Sequence, residues 1–115
     1  MNPVTLGAKF SNAAPYSTSP ERLIAPADNV NGAVIRTASI HVGNLYGMLS
    51  TGVKPPTGYT DNTVPVILSV RAGDSGPGSE AVLPYEVQIP AGYGLWFVKG
   101  STTTGIANVT YDLLP

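Results

Sequence analysis

Apolar and polar side chains exchange places at every second residue along much of this chain. That period sends successive side chains to opposite faces of a β-sheet. The clearest case is residues 81–89, where Ala81, Leu83, Tyr85, Val87 and Ile89 share one face and Val82, Pro84, Glu86 and Gln88 the other. Pro84 has no amide hydrogen for a ladder and so marks an edge or a bulge. Residues 106–114 set Ala107, Val109, Tyr111 and Leu113 inward against Asn108, Thr110 and Asp112. Residues 32–42 read as a central strand with a bulge, because Val34, Arg36, Ala38, Ile40 and Val42 do not separate cleanly from Ala33, Ile35, Thr37, Ser39 and His41. Residues 45–50, 64–71 and 94–100 supply three more strands, and 3–10 and 21–25 shorter ones.

Eleven prolines and thirteen glycines recur at short intervals and leave no room for a long helix. At most a short helical turn is expected within residues 12–20. The segments PADNVNG, TGVKPPTGYTDNT and AGDSGPGSE carry turn chemistry, and the second, the longest, is the expected contact loop. The reading is an all-β chain: one antiparallel β-sandwich or jelly-roll-like domain of about seven or eight strands over residues 1–115, with residues 1–20 available as an extended N-terminal arm.

Composition narrows the function. Charged residues make up 11% of the chain, against about 25% in ordinary globular domains. Six basic residues balance seven acidic ones, and Lys9, Arg22, Arg36, Lys54, Arg71 and Lys99 stand singly. No basic stripe offers itself to nucleic acid. A weakly charged, near-neutral surface protects poorly against self-association, so a homo-oligomer is expected. The absence of cysteine excludes disulfides, thiolate metal sites and cysteine nucleophiles. The first ten residues lack the pattern of a secretory signal, and no apolar run is long enough to span a bilayer as a helix. No membrane partner is expected.

Little else looks like chemistry. Gly73-Asp74-Ser75-Gly76-Pro77 falls one glycine short of the turn around the nucleophile of chymotrypsin-like proteases, and His41 and Asp61 precede it in the matching order. A serine needs an adjacent base and the base an orienting acceptor. However, 115 residues cannot supply the two barrels of such a protease, and the same string is an ordinary surface turn. His41 is the sole imidazole, which rules out a histidine metal cluster. Asp28, Asp61 and Asp74 suit Asx turns better than a calcium loop. Glu80 and Glu86, about 20 Å apart at strand rise, are too distant for a glycosidase pair. The sequon Asn108-Val109-Thr110 is treated as chance. No enzyme activity, cofactor or metal is expected.

Val87–Gly100, VQIPAGYGLWFVKG, contains a G-x-G, but Phe97 occupies the place of the third glycine in a dinucleotide fingerprint. It reads as a hairpin in which Gly92 and Gly94 supply positive φ. Leu95 and Phe97 then lie on one face of the following strand and Trp96 and Val98 on the other. A strand apolar on both faces is buried on both or abuts a partner. Trp96, with Tyr93 and Tyr59, is therefore either a core or subunit-interface anchor or a stacking platform for a glycan.

Two blocks resemble a known family. LIAPADNVNGAVIRTASI is similar to the pattern apaxNxnGvvirta, and IPAGYGLWF to vpAGxGLwf, of small β-sandwich proteins of tailed bacteriophages that serve as decoration, neck or tail components. The resemblance covers about half the chain. It implies a jelly-roll-like domain made in the host cytoplasm that assembles on the virion in multiple copies, commonly as a trimer, against capsid or tail proteins and without catalysis. On this reading Tyr93, Leu95, Trp96, Phe97, Val98 and Tyr59 are the interface candidates. The alternative is a glycan- or receptor-binding module in which the same aromatics are exposed.

Overall fold

The computed structural model describes residues 5–73, 77–100 and 104–115. Among them are nine strands: β1 (Lys9–Ala13), β2 (Glu21–Ile24), β3 (Ala33–Val42), β4 (Leu45–Gly52), β5 (Val66–Ala72), β6 (Ser79–Val82), β7 (Val87–Ile89), β8 (Gly94–Lys99) and β9 (Gly105–Leu113). All pairings are antiparallel. Five of them nest like one long folded ribbon: β4 with β5, β3 with β6 and with β7, β2 with β8, and β1 with β9. Two more, β3 with β9 and β4 with β8, close the ribbon on itself. The result is two packed sheets, β1-β9-β3-β6 with β7 also on β3, and β2-β8-β4-β5. Eight strand positions rolled in this way make a jelly-roll sandwich.

The bulge in β3 explains its mixed alternation. Opposite β9, the register steps from Ile35↔Tyr111 to Thr37↔Thr110, which leaves Arg36 as the extra residue. One inserted residue shifts the phase of everything after it. Ala33 and Ile35 therefore face inward before the bulge, and Ala38, Ile40 and Val42 after it, all buried. These residues join Leu49, Val70, Ile89, Leu95, Phe97, Ala107 and Val109 in the core between the sheets.

Three expectations change. Residues 81–89 are not one strand: Leu83–Glu86 leave the ladder around Pro84, and Tyr85, expected inward, is 72% exposed. Residues 9–13, expected within an extended arm, form β1, an edge strand paired along β9. Finally, the helical turn lies at Pro26–Asp28 rather than within residues 12–20, with Pro26 entering at a position where no amide hydrogen is needed.

Candidate functional site

All six residues of β8 are buried. Leu95 and Phe97 point into the sandwich core. Trp96 and Val98 face the other way, where Trp96 lies between Arg22 on β2 and Ser50 on β4. Trp96 is nevertheless only 4% exposed. Part of the cover on this outer face comes from the loop between β4 and β5: Val64 and Tyr59 pack on Met48 and Val98. Tyr59 also stacks on Tyr46, with centroids 5.5 Å apart, and Arg71 lies 5.3 Å over the Tyr46 ring. A small satellite core thus forms beneath a long loop.

The loop is closed by its own bonds. Asp61 accepts hydrogen bonds from the Thr57 and Thr63 amides at 2.9 Å and from the Thr63 hydroxyl at 2.6 Å. The Thr63 hydroxyl bond, followed by the backbone donors, holds the Asp61 carboxyl well below the usual carboxylate range. Tyr59 of this loop is half-buried on the satellite core, while Val53, Lys54 and Pro55 stay exposed.

Of the six sequence-derived candidates, four are closed off within the chain, while Tyr59 and Tyr93 are half-buried. Leu95, Trp96, Phe97 and Val98 are 0, 4, 0 and 1% exposed within a single chain, so they present no face to a partner. The strand's two apolar faces are both satisfied internally. Nor do the three rings form a platform: Tyr93 packs against the main core and Tyr59 against the satellite core. Stacking on a sugar needs an open ring face, and Trp96 has none.

The segment before β8 is not a hairpin either. β7 pairs in one sheet and β8 in the other, so Pro90–Tyr93 carries the chain between layers. Gly92 has φ of 82°, as a tight reversal requires, but Gly94 does not adopt positive φ. Its role is close approach, since a Cβ there would lie 2.8 Å from the Ile24 carbonyl oxygen and 2.9 Å from Pro26 Cδ. Asn29, 1% exposed, fastens the crossing. Its Nδ2 donates to the carbonyls of Pro90 at 2.8 Å and Tyr93 at 2.9 Å, and its main-chain carbonyl accepts from the Gly92 amide at 2.7 Å. The two family-like blocks thus meet in space, and what joins them is structural.

The protease-like constellation does not assemble. His41 lies in β3 between Glu80 and Ile106, whereas Asp61 belongs to the loop over the other sheet, with its oxygens committed to Thr57 and Thr63. Asp74 and Ser75 lie outside the described residues. Asp28 closes its turn through its backbone amide, to Ala25 at 3.0 Å. Among the described residues, no three His, Cys, Asp or Glu side chains gather as a metal set.

Two features were not read from the sequence. Arg36, placed outward by the bulge, bonds Asp112 through Nε at 2.8 Å and Glu86 through a terminal nitrogen. Asp112 also accepts from the Ala8 amide at 2.7 Å. The Ala8 amide first, and Arg36 second, hold this carboxyl below its usual range. The second feature is a pair of hollows beside the Pro84 break. One, of about 380 Å³, runs between β5 and β7 and is lined by Pro65, Val66, Ile67, Leu83, Val87 and Pro90 among others. The other, of about 300 Å³, lies over β3 and β9.

No protein-family model matches the chain. No curated protein matches it.

Proposed function

We propose that this chain is a non-enzymatic structural protein of a bacteriophage virion, a capsid decoration or a neck or tail component, that works by packing in several copies, with a trimer favoured. The observation that carries the packing is the open side of the sandwich. There β5 ends one sheet and β6 and β7 end the other, and an apolar hollow runs between β5 and β7. Edge strands of free monomers are ordinarily guarded by charge. Here β5 carries only Arg71, near its far end, β6 only Glu80, and β7 no charge.

Val66, Val82 and Tyr85 are 46, 60 and 72% exposed along this side. Pro65, Pro84 and Pro90 flank the strands and deny a partner continuous backbone pairing. Contact by side-chain packing under closed symmetry fits this arrangement better than open-ended strand addition. The virion assignment is supported by the two sequence blocks and by the low charge of the surface.

Sedimentation velocity tests the reading. The wild type is expected to sediment as a small closed oligomer, and Val66→Glu, which puts a carboxylate on the hollow, to sediment as a folded monomer. A wild type that stays monomeric up to high concentration, or an oligomer untouched by Val66→Glu, would contradict it.

A further inference from the structure

We propose that the outer face of the sheet containing β3 and β9 carries a binding site for a short, uncharged saccharide, in the hollow of about 300 Å³ bounded by Asn12, Ser39, Asn108, Thr110 and Tyr85. The volume is at the small end of ligand pockets, which run from about 300 to 1,000 Å³. Strand register aligns the polar groups. Asn12 of β1 pairs with Asn108 of β9, and Asn108 with Ser39 of β3, so two amides and a hydroxyl form one row across three strands. One step along lies a second row, Phe10–Thr110–Thr37, in which the two threonine hydroxyls are 2.6 Å apart.

The side chains of Asn12, Ser39 and Asn108 take no part in any hydrogen bond with the described residues. Each both donates and accepts. That dual capacity, repeated at strand spacing, matches neighbouring hydroxyls on a sugar ring. Charge does not favour an ion here: the guanidinium of Arg36, on the hollow's rim, is already bonded to Asp112 and Glu86. Tyr85 and Phe10, each 72% exposed, add open ring faces at the hollow's wall and in the adjoining row, and open aromatic faces can stack on the C–H faces of pyranoses. Trp96 is buried and lends nothing to this site; the rings available are those the chain leaves on its surface.

Tyr85 borders both this hollow and the one between β5 and β7, but Asn12, Ser39 and Asn108, on β1, β3 and β9, line only this one, so substitutions at the asparagines leave the packing side proposed above untouched. The test is a titration of ¹⁵N-labelled full-length protein with maltotriose, cellotriose and N-acetylated chitotriose, followed by amide and side-chain NH₂ resonances. At least one saccharide is expected to shift the side-chain NH₂ signals of Asn12 and Asn108 together with the Ser39 and Tyr85 amides. Asn12→Ala and Asn108→Ala should each weaken that binding about three- to tenfold, the value of one hydrogen bond between neutral groups. Their melting temperatures should be unchanged, since both side chains are exposed. Sedimentation of the two variants should match the wild type, which separates a failure of this site from a failure of assembly. Absence of shifts with all three saccharides, shifts confined to other surfaces, or binding indifferent to both substitutions would overturn the proposal.

Discussion

Asn29 carries more of the architecture than its size suggests. Its amide donates to two carbonyls of the turn that carries the chain from one sheet to the other, and truncation would leave both facing a gap. Losing partners for buried polar groups costs about 1–3 kcal/mol each, so Asn29→Ala should lower the unfolding free energy by about 2 kcal/mol or more in urea titrations. The neighbouring glycines should separate by cause. A methyl at Gly92 meets open space and faces only the left-handed backbone cost, about 1–2 kcal/mol. At Gly94 the methyl meets backbone at 2.8 Å. Gly94→Ala should therefore be the more destabilising of the two in the same titration, and the reverse order would show that the crossing is held differently.

At the scale of elements, the alternation of side chains was enough to reveal the sheet faces of β9 and the bulge in β3. Both depend on nearest-neighbour pattern and on which residues tolerate burial. The break between β6 and β7 was half legible: Pro84 signalled an interruption, but the pattern on either side was regular enough to suggest one strand. The hairpin expected after Pro90 failed for a different reason. Glycine spacing reports local freedom to turn, whereas the partner of each flanking strand is decided by how the whole ribbon rolls.

In the loop between β4 and β5, turn residues likewise say nothing about Tyr59 and Val64 packing back on Met48 and Val98. Its clamp is titratable. Asp61 and Asp112 both sit below the ordinary carboxylate pKa of about 3.9. The unfolded chain therefore takes up protons first as pH falls, and the stability these groups contribute is complete above about pH 4 and lost below it. Both are exposed enough for the effect to be modest. The urea midpoint should fall as the pH drops below about 4, and fall less in Asp61→Asn and Asp112→Asn. Parallel acid limbs in all three proteins would count against the clamp.

For the molecule as a whole, the distribution of apolar surface is the central result. The strand that looked most like an interface is closed within one chain, and exposed apolar side chains lie elsewhere, among them Val66, Val82 and Tyr85 beside β5, β6 and β7 and Leu6 and Phe10 at and before β1. The jelly roll itself carries no function, since one fold serves many. What this chain adds is a weakly charged exterior, an apolar open side and a polar row across β1, β9 and β3. The single tryptophan makes the claim of internal closure directly measurable. Emission and acrylamide quenching of Trp96 should be followed as the proposed assembly is diluted through dissociation, or compared between the wild type and Val66→Glu. The account predicts blue-shifted emission and weak quenching that do not change between the assembled and monomeric states. A red shift with a marked rise in quenching on dissociation would contradict it, by showing that a partner, rather than the chain's own fold, covers β8.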